Sequence, residues 1–206
     1  VPARHPPAMT DAADRPARIL PVIIGSQFAG TSLWFAGNAI LPELQRDWGL
    51  APATLGHVTA AVQFGFITGT LVFALLALAD RFSPRAVFLA CALAGATANL
   101  ALVALPPSLG GLLALRFATG FFLAGIYPVG MKIAAGWYAS GLGRALGWLV
   151  GALVVGTAFP HLLKGLGAAL PWTGVLAGVS VCAALGGLAM YAAVPDGPHL
   201  KRGARF

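Results

Sequence analysis

The chain reads as an all-α membrane protein of six transmembrane helices with both ends on the cytoplasmic side, and three observations predict it. Hydrophobic residues make up 58% of the 206 residues, charged residues 9%, and mean hydropathy is +0.83, a balance foreign to soluble domains. The apolar residues gather in six runs, at about 19–41, 54–79, 86–105, 112–135, 145–163 and 172–194, each close to the ~20 residues that cross a bilayer as a helix. The basic residues segregate: Arg4, Arg15, Arg18, Arg81, Arg85, Lys132, Arg144, Lys201, Arg202 and Arg205 flank the runs on one side, Arg46 and Lys164 on the other. By the positive-inside rule the first side is cytoplasmic.

Composition also excludes. The net charge of +7 is scattered through short loops and tails, so it marks topology and predicts no nucleic-acid partner. Cys91 and Cys182 lie inside apolar runs and read as packing residues, with no disulfide framework and no metal site. The sequence holds no HExxH, CxxC, GxSxG or strand-borne GxGxxG, so neither an enzyme nor a cofactor is expected. Residues 1–17, rich in proline and alanine, read as a disordered cytoplasmic tail ahead of a bundle spanning 18–195. Residues 196–206 are polar and basic and read as the start of a cytoplasmic loop.

The first span, with Pro21 near its start and Pro42 expected to close it, carries Gln27, Thr31, Trp34 and Asn38 at i, i+4, i+7 and i+11. They share one helical stripe, which lines a cavity or bonds to adjacent helices. A polar outer connection follows to Ala53. The second span repeats the pattern with Thr59, Gln63, Phe66 and Thr70, Gln63 being its one strong hydrogen-bonding member. Asp80, Arg81 and Arg85 then make a short turn in which Ser83 is placed to cap the third span and Pro84 to begin it. That span has Asn99 as its one strongly polar residue and reads as peripheral support. In the fifth, Gly143, Gly147 and Gly151 recur every four residues, a face a neighbouring backbone can approach closely; Pro160 and His161 are expected to end it. The sixth carries the small pair Gly174 and Gly178.

The fourth span holds Arg116. An arginine at mid-helix costs roughly 2.5–3.5 kcal/mol on insertion scales, so it faces a bundle interior or a wet cavity, or else snorkels to the interface. As a helix the run places Arg116, Thr119, Gly120, Leu123 and Tyr127 on one face. None of the six runs contains an Asp or Glu. Arg116 therefore finds helix carbonyls and water, or it waits for an anion.

These residues resemble the amino-terminal half of a major facilitator superfamily transporter, over all six spans. The turn through Asp80, Arg81 and Arg85 is similar to the family's Gly-x-x-x-Asp-Arg-x-Gly-Arg-Arg signature, with Leu76, Ser83 and Pro84 in place of Gly, Gly and Arg. Arg116 followed by Gly120 is similar to its intramembrane arginine motif. Gly147, Gly151 and Gly156 resemble its glycine-rich antiporter motif, with Ala152 where proline belongs. The resemblance implies six helices built as inverted 3+3 repeats, paired with a carboxy-terminal six-helix half from the same gene or a second subunit. It implies a secondary transporter or permease of the bacterial cytoplasmic membrane that holds a small solute between the halves. Gln27, Thr31, Trp34, Asn38, Gln63, Arg116 and Tyr127 are the expected cavity wall, with an anionic solute favoured by Arg116. Asp80, Arg81 and Arg85 are the expected inner gate, and Gly143, Gly147, Gly151 and Gly156 the helix-packing positions. The rivals are a half-size subunit acting as a dimer and a non-transporting scaffold in which Arg116 only anchors a neighbour.

Overall fold

The computed structural model describes residues 16–104, 106–166 and 170–200, and every regular element among them is helical. In chain order these are α1 (Ile19–Thr31), α2 (Ala36–Trp48), α3 (Thr54–Leu75), α4 (Leu78–Arg81), α5 (Pro84–Ala101), α6 (Leu109–Leu123), α7 (Tyr127–Trp137), α8 (Leu142–Leu166) and α9 (Trp172–Ala193). Six stretches of the described chain are long and apolar enough to cross a membrane. The first consists of α1 and α2 together and the fourth of α6 and α7. Residues 1–15 and 201–206, which hold most of the two expected tails, lie outside the described residues.

Both proline stops fail. Pro42 sits inside α2, which runs on to Trp48 and ends at Gly49 in the left-handed conformation (φ 66°). Proline removes only its own N–H bond, to the carbonyl four residues back, and leaves the turns after it intact. The helix is amphipathic, with Ile40 and Leu41 buried before the proline and Leu44 after it, so burial carries it past the point where composition turns polar. Pro160 is likewise interior to α8 and buried. Span two is shorter than its apolar run: α3 stops at Leu75, Ala77 takes φ 48°, and the single turn α4 follows.

The spans pack through small residues. A Cβ on Gly120 would collide with the Val62 carbonyl and one on Gly65 with the Phe117 carbonyl, so α3 and α6 touch backbone to backbone. Gly186 and Gly187 of α9 make room for the methyls of Ala29 and Ala92, which would stand 2.5 and 2.8 Å from an added Cβ. The α5 helix is not peripheral: Phe88, Cys91, Ala92, Gly95, Ala96 and Asn99 are buried where it packs on α9 and α6. Of the five α8 glycines, Gly156 is the one in close contact, where a Cβ would stand 2.5 Å from Phe28 O and Thr31 Oγ1. Gly143, Gly147 and Gly151 are open, with no described residue within 4 Å of such an atom, as is Gly178 but for one Leu163 methyl.

Polar clasps hold both ends of the bundle. At one end Glu43 pairs with Lys164, whose Nζ also donates to Leu170 O at 2.9 Å, and Trp48 meets Trp172 edge-on at 6.0 Å. At the other, Asp80 pairs with Lys132, while the segment after α9 is stitched down by Trp137 Nε1 donating to Pro195 O and His199 N to Gly136 O. Ser83 begins α5 as its N-cap residue without a capping bond; its Oγ donates instead to Asp196 Oδ1 at 2.9 Å.

Candidate functional site: the broken first span and Arg116

The first span breaks at residues 32–35 because two successive hydroxyls turn back on the helix. Thr31 Oγ1 donates to Gln27 O (2.7 Å) and Ser32 Oγ to Ala29 O (2.6 Å), and Trp34 N closes a tight turn on Thr31 O. Such back-bonding bends helices. An unbroken helix would direct the N–H groups of residues 37 and 38 to the carbonyls of Leu33 and Trp34. Here Arg116 takes both: Nη2 donates to Leu33 O at 3.0 Å and to Trp34 O at 2.6 Å.

The other arm of the fork is engaged too. Nη1 donates to Asn99 Oδ1 at 3.1 Å, and Asn99 Nδ2 continues to Ser180 Oγ (3.1 Å) and Leu176 O (3.4 Å). One guanidinium thus ties together α6, the break in span one, α5 and α9. It is 2% exposed, and Nε, the one nitrogen of the fork without a partner, lies over Gly37. Of the two fates open to an intramembrane cation, Arg116 has taken helix carbonyls.

The fourth span is interrupted at 124–126, just ahead of Pro128, which offers no N–H to the carbonyl of Ala124. Glycines receive this second break: Gly30 lies against Ile126, Gly69 against Ala124, and Gly125 against Cys91.

The seven expected wall residues fall into two groups. Gln27, Thr31 and Arg116 are interior, the first two at 0% exposure, with Gln27 against Gly130 and both of its amide atoms unpartnered. Trp34, Asn38, Gln63 and Tyr127 are half-buried or exposed. The breaks explain the division, since the stripes at 27–38 and 116–127 each run through an interruption that turns their later members elsewhere. Trp34 stacks on Phe66 at 4.7 Å between centroids, and Asn38 Nδ2 donates to Thr59 Oγ1 at 2.8 Å. Gln63 lies on the α3 face between these two rungs. Together they form a polar and aromatic band along α2 and α3, still partly open.

At the basic end, Asp80 and Lys132 border a cavity of about 200 Å3 together with Thr70, Phe73 and Pro128. Arg85 is held within this chain by Tyr191, donating to its carbonyl at 3.2 Å and covering its ring at 5.1 Å, and stands 4.0 Å from Asp196. Arg81 is exposed.

Sequence reasoning missed Asn99, Ser180 and Gly37 as partners of Arg116, and Lys132 as the partner of Asp80. The readable signals were Asn99 alone in an apolar run and the Thr31-Ser32 pair at mid-span.

No individually curated protein matches the chain significantly. The family pattern described as Major Facilitator Superfamily matches residues 22–206, from the first turn of α1 through all six spans. Members of this family are membrane transporters rather than enzymes. With that match over nearly the whole chain and six apolar helices beneath it, this integral membrane protein belongs to the Major Facilitator Superfamily.

Proposed function

We propose that the chain is a six-helix half of a secondary transporter that moves a small solute by alternating access against a second six-helix unit. The observation that carries this reading is the open polar band of Trp34, Asn38 and Gln63 on spans that are otherwise apolar. A polar strip facing hydrocarbon costs several kcal/mol per unsatisfied group, so it needs either water or a covering helix bundle. The α3 and α8 helices are also the least buried of the six spans, which suits them to meet a partner. In this reading the Asp80 end is cytoplasmic, the two broken spans are corresponding members of an inverted repeat, and the membrane is a bacterial cytoplasmic one. The covering unit follows in the same gene or is a separate subunit, a second copy included.

An anionic solute keeps one support. Arg116 spends its fork on this chain, so it offers such a solute a field rather than a hydrogen bond; no carboxylate stands near to cancel that field in low dielectric. Solute contact falls to Trp34, Asn38, Gln63 and Tyr127.

The test is solute protection in the full-length protein. With Cys182→Ser as background and Cys91 buried, Gln63→Cys should react with a water-soluble maleimide, and a transported solute should slow the reaction. Labelling that is absent, or untouched by every transported solute, would remove the band from the pathway.

A further inference from the structure

Consecutive spans α3 and α5 diverge. The first packs mainly on α6 and the second on α9 and α6, so only the single turn of α4 bridges them. The wedge left open has a volume of about 350 Å3 and is lined by Phe73, Leu78, Phe82, Ala86, Ala90 and Cys91 among others, all apolar. Small residues on the α5 side make the depth, while Phe73 and the exposed Phe82 make the walls.

Arg81 adjoins two of the lining residues along the chain. It is the last residue of α4, next to Phe82 and one turn from Leu78. It is exposed, and it makes no hydrogen bond or ion pair with any described residue. The nearby charges are already matched, Asp80 with Lys132 and Arg85 with Asp196. The positive charge of Arg81 is therefore left over at the membrane edge.

We infer that this wedge binds an anionic phospholipid of the surrounding bilayer, with one acyl chain in the groove and the phosphate on Arg81. The groove is lined by apolar residues, and the turn that bridges it ends in one cation without a partner among the described residues. That combination matches a lipid with a charged head. Arginine's planar fork suits phosphate oxygens, and basic pockets between membrane helices recognise anionic headgroups. The volume is too small for a second copy's helix, which is ~10–12 Å across with its side chains.

Native mass measurement of the full-length protein in mild detergent tests this, with phosphatidylglycerol and phosphatidylcholine of identical acyl chains as probes. The anionic lipid should be retained about fivefold more strongly, as one basic residue near a phosphate provides. Arg81→Gln should abolish the difference while leaving residual binding of both lipids. Ala90→Phe, an exposed position facing the wedge, should fill the groove and weaken both. Equal retention of the two lipids by the unaltered protein overturns the proposal. So does an Arg81→Gln variant with undiminished selectivity, an Ala90→Phe variant with undiminished retention, or displacement of the lipid by inorganic phosphate alone.

Discussion

Nη2 of Arg116 lies 2.6 Å from the carbonyl oxygen of Trp34, and through that bond the fourth span holds open the break in the first. Three charge-assisted bonds converge on this guanidinium. Each is worth about 1.5–3 kcal/mol in water-soluble proteins, and interhelical bonds in membranes average about 0.6. Arg116→Leu should therefore lower stability by about 2–4 kcal/mol. Arg116→Lys should fall between, because an ammonium cannot reach both arms of the fork. Unfolding in detergent, followed by helical circular dichroism, reads the order. Equal stability of Arg116→Leu and the unaltered protein would return the residue to the free cavity wall.

Gly37 makes room for that arginine. A Cβ there would stand 2.7 Å from Nε and 2.8 Å from Cδ, closer than packing tolerates. Elsewhere in a helix Gly→Ala stabilises by about 1 kcal/mol; here Gly37→Ala should destabilise by about 1–3 kcal/mol through overpacking. In an Arg116→Ala background the penalty should vanish, and a double-mutant cycle measures the coupling. Additive effects would mean that the two residues do not share this contact.

Glycines on two helix faces should respond in opposite ways. Gly120→Ala drives a methyl into the Val62 carbonyl and should separate α3 from α6, costing about 1–3 kcal/mol or more. Gly147→Ala meets nothing in this chain and should leave its folding intact or slightly improved. Gly147→Leu then becomes a probe for a partner: it should spare insertion but impair association with a second six-helix unit. If Gly147→Leu associates as the unaltered protein does, the open face of α8 is not a contact.

The six spans were legible because lipid forces each crossing segment to satisfy its backbone internally, so apolar run length translates into helix. The breaks were hidden by the same logic. Thr31, Ser32 and Pro128 sit in runs as apolar as their neighbours, and nothing in a 3.6-residue repeat tells whether a hydroxyl bonds backward on its own helix. The conspicuous prolines, Pro42 and Pro160, read as stops, yet tertiary burial carried the helices through them. Of the candidate site, Arg116 was evident by its cost, but its partners were not: two are backbone carbonyls, which any sequence supplies, and the third is an asparagine 17 residues away on another helix. The spacing of Gly143, Gly147 and Gly151 was equally plain, whereas the face it lies on depends on how α8 is rotated.

Asp80 is engaged by Lys132 within this chain. If Asp80 also meets the start of a partner helix when its end of the bundle closes, an interaction of about 0.3–2 kcal/mol, the two contacts compete or share the carboxylate. Asp80→Asn should weaken closure and raise labelling of a cysteine introduced near the mouth at that end. Lys132→Met should raise it less or lower it, since it frees the carboxylate for the partner. Identical accessibility in Asp80→Asn and the unaltered protein would make Asp80 a tether for α7 only.

The 206-residue chain expressed by itself should insert as a six-helix bundle and move nothing. Its interior is bonded largely within the chain, with Nη1 and Nη2 of Arg116, Asn99 and Ser180 joined among its own helices and clasps at both ends. Its exterior lacks such partners: Gln63 is exposed, α3 shows Phe64 and Ile67, and α8 shows Val154 and Val155 along with the open Gly147 and Gly151. A bundle held together from inside and polar along one outer band gains by covering that band, so the chain should form dimers or recruit a co-expressed carboxy-terminal half. Native mass measurement in mild detergent reports the stoichiometry, and uptake into vesicles with and without the second half reports the activity. Solute uptake by a protein confirmed as a monomer of this chain would sink the reading, because a single unit has nothing to rock against and cannot present one site to both sides of the membrane in turn.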